Sequence, residues 1–417
     1  MRSVVETYRA LKGNIVLLAP TGRAAKVLTQ RSGMRASTIH RHIYMPKTAG
    51  GVASFALRPN KNKHTLYVID EASMIGDQRN DSNVFGSRNL LEDLIQHVAM
   101  GHRCKLLFIG DLAQLPPVGL PLSPALDPKV LENTFQLNLV SHHLTRVIRQ
   151  AESSTILKNA TVIREILAEN LQEKPRITLA EDVVRLTDGW EMEEVFQNIF
   201  SDSSKENGIM IVRSNNRANK YNLDIRARIQ FKEDLIAAGD RLMVVRNNYF
   251  WLPEKSTIGF IANGDTLEVL SIRNRESLYG FDFVEATVQL LDYPDEEAID
   301  VKLLLNTLQA DAPALTSNQQ KQFFEQVELE YMHIGNRRTR IEAVMNNPFY
   351  NALQVKFANV VTCHKAQGGQ WPYVIIEQSW LPDGEVDTEY LRWLYTAFTR
   401  AQEKVYLIGF DDSFFAE

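Results

Sequence analysis

Three short runs early in the chain constrain its fold more than any other feature: NIVLLA (residues 14–19), LYVID (66–70) and KLLFIGD (105–111). Each is apolar at consecutive positions rather than alternate ones, and each stops at a polar tip. A strand that is apolar on both sides needs cover on both sides. That is the pattern of a parallel sheet between helical layers, and ligands gather at the strand C-termini of such sheets. Similar runs recur at 209–214, 360–364, 373–377 and 405–409, so a second α/β unit is expected. Residues 239–300 alternate instead, as DRLMVVRNN, NGDTLEVLSI and FVEATVQLLDY. Their Asn-Gly and Gly-Asp turns suit a small antiparallel barrel. Residues 316–345 are charged, helical in period and expected to be exposed.

Composition narrows the class. A 417-residue chain that is 44% hydrophobic and 23% charged can bury a sizeable core, which excludes a disordered or low-complexity protein. Two cysteines, Cys104 and Cys363, exclude a disulfide scaffold and a multi-cysteine zinc ribbon. The net charge of -5 gives no global basic signal, although a local basic channel suffices to bind phosphates. No apolar run reaches transmembrane length and the first residues do not resemble a signal peptide. A soluble, cytoplasmic protein without a membrane partner is expected.

The strongest chemical signal is LYVIDEASMIGD. Asp70 and Glu71 emerge from a buried strand, where Asp70 can hold Mg²⁺ through its waters and Glu71 can polarise an attacking water. A second strand ends alike in LLFIGDLAQLPPVG, where Asp111 sits at the tip and Pro116 and Pro117 stiffen the loop. Gln114 then suits sensing a γ-phosphate or its water. In LLAPTGRAAKVL, Thr21 and Arg23 stand at a helix start, which is either a phosphate site or a plain threonine cap. Thr38, His40 and Arg41 follow as candidate backbone contacts. Later, VVTCHKAQGGQW delivers Thr362, His364, Lys365 and Gln367 into a turn at Gly368. LYTAFTRAQ carries Thr396, Thr399 and Arg400, and Arg149 lies in LTRVIRQ. Arg400 and Arg149 are candidates for cations that reach a nucleotide.

In their order and spacing, APTGRAA, the TIH segment, VIDEASM, GDLAQLPPVG, LTRVIRQ, TCHKAQG and YTAFTRA resemble the superfamily 1 DNA helicases. They are most similar to the RecD-like branch, which moves 5′ to 3′ on single-stranded DNA. The resemblance spans nearly the whole chain. It implies an α/β fold of two RecA-like P-loop NTPase lobes, with ATP between them and single-stranded DNA across their tops. It also implies an SH3-like β-barrel insertion in the second lobe.

By matching motifs, Asp70 (Mg²⁺) and Glu71 become the Walker B pair and Gln114 the γ-phosphate-coupled sensor. Arg149 and Arg400 become the arginines that reach the phosphates, and Gln367 and Gly368 belong to the motif coupling ATP to DNA. Pro20, Thr21, Arg23, Thr38, His40, Thr362, His364 and Lys365 are the expected DNA contacts. The expected domains are lobe 1 over 1–147, with a small insertion at about 41–63 where the family carries a strand-separating pin. Lobe 2 takes 148–250 plus 352–417, and the insertion with its helical segment takes 251–351. The implied cofactors are ATP and Mg²⁺. The implied partners are single-stranded DNA and other repair proteins, around a monomer acting in repair or recombination.

One part of the pattern is missing. A phosphate loop needs G-x-x-x-x-G-K-[ST], and no Gly-Lys dipeptide occurs in these residues. Residues 2–12 (RSVVETYRALK) read as the helix that follows that loop, so the first lobe is expected to be N-terminally truncated. The absent strand is expected in the sheet interior beside the Walker B strand. Weak or absent ATP hydrolysis by this chain follows. The alternative is a non-hydrolysing single-stranded DNA-binding protein. A P-loop kinase or signalling NTPase fits less well, because it has no use for CHKAQG and YTAFTRA.

Overall fold

The computed structural model describes residues 1–49, 52–76, 89–144, 154–202, 207–253, 256, 258–378, 381 and 384–416. The three early apolar runs form strands as their pattern requires: Asn14–Ala19, Thr65–Ile69 and Lys105–Phe108. With Ala36–Thr38 they make a parallel four-stranded sheet in the order Ala36–Thr38, Asn14–Ala19, Thr65–Ile69, Lys105–Phe108. Leu18 pairs with Ile69 and Ile69 with Phe108, so the strand C-termini are level and bring Pro20, Asp70 and Ile109 to one edge. Leu17, Leu18, Tyr67, Val68 and Ile69 are all buried.

This order corrects one expectation. Thr65–Ile69, the strand before Asp70, has a neighbour on each side, so no interior place beside it is vacant. Among the described residues the sheet ends at Ala36–Thr38 on one side and at Lys105–Phe108 on the other, and Leu106, Leu107 and Phe108 of the latter are only half-buried.

Residues Tyr44–Ala49 and Val52–Leu57 pair as an antiparallel hairpin within the stretch expected as a small insertion. The barrel is closed by Thr266–Leu278, Phe281–Leu290, Ile299–Leu304, Leu353–Phe357 and Arg241–Val244, so it draws on residues either side of 251–351. Its two Gly-Asp turns are built alike. Gly239 and Gly264 have φ of 74° and 95°, and Asp240 and Asp265 each accept the backbone N–H of the alanine three residues earlier (2.8 and 2.7 Å).

Residues 316–345 fold as the helices Ser317–Glu330 and Arg337–Met345, the first opened by a Thr316/Gln319 capping box. They are not simply exposed. Phe323, Val327 and Val344 are buried in a cluster with Phe283 and Leu304 of the barrel. The four-stranded sheet and the barrel belong to one compact unit: Met1–Gly110, Pro116–Asn138 and Ala237–Lys356.

The second unit comprises Asp111–Leu115, Leu139–Ile236 and Phe357–Glu417. Its five strands are all parallel, in the order Val360–Thr362, Gly208–Val212, Trp371–Glu377, Ala401–Ile408, Val183–Leu186. Helix Asn215–Asp224 runs on into one π-turn, Ile225–Ile229, and its buried Asn222 bonds both N–H and C=O of Val360. Two parallel sheets flanked by helices, with a closed barrel, are the α/β class expected. Among the described residues no helix is long and apolar enough to cross a membrane.

Candidate functional site

In the first unit, Asp70 leaves its strand half-buried, and its Oδ1 accepts the N–H of Glu71 at 3.1 Å. Glu71 holds a left-handed backbone, φ 53° and ψ 39°. That conformation costs a non-glycine residue about 1–2 kcal/mol, and such strain collects at functional positions. Ala72 N–H then bonds Ile109 O (2.9 Å), and Ser123 Oγ bonds Ala72 O and Ile75 O, fixing the turn that presents both carboxylates. Among the described residues no group of three His, Cys, Asp or Glu could hold a metal. One half-buried carboxylate does suit Mg²⁺, which keeps its waters and takes substrate phosphates as further ligands.

The helix start expected to face DNA is more divided. Thr21 caps Gly22–Ser32, its Oγ1 accepting Ala24 N–H at 3.2 Å. Pro20 and Thr21 are partly exposed, whereas Arg23 is 9% exposed and donates to Thr266 Oγ1 of the barrel (3.3 Å). Arg23 therefore points into protein rather than towards a strand of DNA. Thr38 is buried and caps Ile39–Ile43. His40 lies against Tyr44 with ring centroids 5.7 Å apart, and burial lowers its pKa to about 4. It is neutral at physiological pH, able to hydrogen-bond a phosphate but not to neutralise it.

In the second unit three of the sequence motifs meet. Gln367 donates Nε2 to Leu115 O (2.6 Å), and Leu115 N–H donates to Thr396 Oγ1 (2.9 Å). Tyr395 donates its hydroxyl to Asp111 Oδ2 (2.6 Å), and burial with Asp111 raises the phenol pKa. Gln114 is held between these bonds at 8% exposure, and its Oε1 finds no donor among the described residues. Gly368 makes the next turn with φ 76°, a conformation glycine adopts freely.

Arg400 follows helix Thr388–Phe398 and is 2% exposed. It was expected to extend to phosphates. Its guanidinium instead bonds Thr396 O, Gly369 O and Thr399 Oγ1 at 3.1–3.2 Å. Thr362, His364 and Lys365 are partly exposed at the tip of Val360–Thr362, and the Thr362 hydroxyl makes no capping bond to Cys363–Ala366. Arg149 lies outside the described residues.

Sequence reasoning missed Tyr395 as a partner of Asp111. It also missed Glu377, buried at the end of Trp371–Glu377 and bonded to Arg217. No local motif marks either. A glutamate closing a strand looks like any solvated tip until the fold buries it.

The comparisons bear on this arrangement. The model of the UvrD-like helicase C-terminal domain matches residues 357–408, and that of the AAA domain matches residues 1–182. The ATP-dependent RecD2 DNA helicase of Deinococcus radiodurans is 33% identical over 162 residues, 38% of this chain and 19% of that one. An uncharacterized protein of Methanocaldococcus jannaschii is 23% identical over 98% of this chain and 35% of its own length. The chain therefore spans 19% and 35% of these two relatives.

Among solved structures, Pif1 helicase from Bacteroides in complex with ADP-AlF3 and ssDNA is 16% identical. That match covers 97% of this chain and 85% of the other, with a TM-score of 0.43. Pif1 helicase from Candida albicans is 12% identical, covering 100% and 90%, with a TM-score of 0.37. The two domain models match separate parts of this chain, and the RecD2 relative matches it over 162 residues.

Proposed function

We propose that the chain is the motor portion of an ATP-dependent DNA helicase or translocase of the RecD-like branch, moving 5′ to 3′ on single-stranded DNA in repair or recombination. The observation that carries this reading is the junction at Leu115. There the loop bearing Gln114 is bonded by Gln367 of TCHKAQG and by Thr396 of YTAFTRA. A nucleotide sensor clasped by a strand-binding motif has a use in a motor that ties hydrolysis to DNA, and none in a simple kinase.

In this reading Asp70 holds Mg²⁺ with the nucleotide, which supplies charge neutralisation on the phosphates. Glu71 orients the attacking water, and Gln114 reports the γ-phosphate. Gln367 and Gly368 pass that report to Thr362, His364 and Lys365 on the DNA backbone. Pro20, Thr21 and His40 supply further contacts, while Thr38, buried and capping Ile39–Ile43, holds the helix that carries His40. Arg149 is assigned to the phosphates. Arg400 is assigned first to bracing the Gly369 turn, and reaches phosphate only if those bonds are exchanged.

A second reading is favoured by one observation: no Gly-Lys dipeptide occurs in the 417 residues. Without a lysine-bearing phosphate loop these residues hydrolyse ATP weakly, and the chain then acts as a single-strand binder. ATP turnover with and without oligo-dT, together with oligo-dT binding across salt, tests both readings. Binding that is salt-dependent and altered by nucleotide supports the motor. Binding with no nucleotide effect supports the second reading, and no binding overturns both. Fast DNA-stimulated turnover by this chain overturns the claim of weak hydrolysis.

A further inference from the structure

The barrel turn that ends in Asp265 does more than close a hairpin. Asp265 is 0% exposed, and its Oδ2 accepts Ala262 N–H at 2.7 Å. Its Oδ1 has no hydrogen-bond donor among the described residues. That oxygen lies against Gly22, the first residue of Gly22–Ser32. A Cβ at Gly22 would stand 2.1 Å from Asp265 Oδ1 and 2.9 Å from the Tyr293 hydroxyl. Gly22 is thus a glycine because the barrel occupies the place of its side chain. Beside it, a Cβ at Gly264 would stand 3.9 Å from the Thr21 methyl.

The same helix is pinned to the barrel along its length. Arg23 donates to Thr266 Oγ1, and Lys26 donates to Leu291 O at 2.9 Å with Asp292 Oδ1 at 3.9 Å. Asp292 Oδ2 in turn accepts both the N–H and the hydroxyl of Thr266 at 2.9 Å. The cations of this helix start are therefore engaged by protein. Around Asp265 the charged and titratable groups are Asp292, Tyr293 and Arg41. Burial, then Asp292, push its carboxyl well above the usual range, with Ala262 N–H and Arg41 opposing.

We propose that Asp265 is a positioning residue for single-strand binding: it seats Gly22 and so fixes Pro20 and Thr21, without touching the strand itself. This rests on the reading of Pro20 and Thr21 as DNA-backbone contacts. Arg23 and Lys26 then serve the same seat and do not neutralise DNA phosphates.

The test is binding of fluorescent oligo-dT across a salt series, with a thermal melt of each variant. Asp265→Ala and Gly22→Ala each weaken binding by about fivefold or more, as misfitted contacts of this kind do. Neither changes the slope of log K against log salt. The double variant binds more tightly than Gly22→Ala, because the new methyl enters the space the carboxylate leaves and only the Tyr293 hydroxyl, 2.9 Å away, must still shift. Asp265→Asn, which keeps the shape and an acceptor for Ala262 N–H, binds like wild type. Lys365→Ala, the reference for a phosphate contact, lowers the slope by about 0.7.

Wild-type affinity in Asp265→Ala overturns the proposal while leaving the DNA-binding reading intact. So does a slope change of about 0.7 in that variant, the mark of a direct phosphate contact. A double variant no better than Gly22→Ala also overturns it. Should Asp265→Ala lose its cooperative melt, the Asn variant and the Gly22→Ala comparison decide the matter. No binding by wild type at any salt removes the DNA-binding reading and this proposal together.

Discussion

Gln367 donates its side-chain Nε2 to the carbonyl oxygen of Leu115 at 2.6 Å, and both residues are buried. The bond joins chain positions 252 apart, in two motifs that share no local sequence signal. Removing a buried donor leaves its acceptor desolvated, at a cost of about 1–3 kcal/mol. Gln367→Ala is therefore expected to lower the urea midpoint of the second unit. It should also abolish any effect of nucleotide on oligo-dT affinity. An unchanged midpoint would show that the bond is not maintained in solution.

Arg400 presents a sharper choice. Its three bonds to Thr396 O, Gly369 O and Thr399 Oγ1 depend on the planar guanidinium fork, which lysine does not reproduce. Arg400→Lys is expected to destabilise the fold by about 1–3 kcal/mol, measured by denaturant titration. Full stability with lost nucleotide binding would reverse the assignment and make Arg400 a phosphate ligand.

The helices of residues 316–345 provide a prediction independent of function. Phe323 is 1% exposed and packs its ring 4.8–5.9 Å from those of Phe281, Phe283 and Tyr350. Phe323→Ala should cost about 3–5 kcal/mol through the cavity it leaves. A loss below about 1 kcal/mol, the scale of an exposed site, would mean that the helical segment does not contribute to the barrel core.

The buried strands were legible because parallel sheets covered on both sides leave consecutive apolar letters, as in NIVLLA and LYVID. The order of those strands was not. A crossover connection lets successive strands lie side by side or several places apart. Nothing in KLLFIGD says that it sits at an edge, or that the strand before Asp70 has two neighbours. Charge by itself does not name a partner either. Arg23 and Arg400 read as phosphate ligands from their neighbours in sequence, but the fold gives Arg23 an acceptor 243 residues on, at Thr266, and turns Arg400 onto Gly369, 31 residues back. The charged letters of residues 316–345 likewise hid a thin apolar stripe, Phe323, Val327 and Val344. The Gly-Asp turns were legible as turns, although only the packed structure showed one of them filling the side-chain space of Gly22.

Acid should weaken this protein through its histidines. Burial holds His40 and His42 near pKa 4, well below the usual 6.5, with His97 and Arg58 adding to the effect on His42. In the unfolded chain both take up a proton near pH 6.5, whereas in the fold they do so only near pH 4. Falling pH across that window therefore feeds protons to the unfolded state alone, and stability is lost between about pH 6.5 and 4. Asp265, raised rather than lowered, works the other way and favours the fold as pH falls. The His40→Gln/His42→Gln variant isolates the histidines: its urea midpoint should change less between pH 7 and pH 5 than that of wild type. Equal changes in the two proteins would show that the histidines titrate normally. Because His40 is neutral at pH 7, His40→Gln should also leave the salt slope of oligo-dT binding unchanged. A slope reduced by about 0.7 would mean that the imidazole is charged on the DNA.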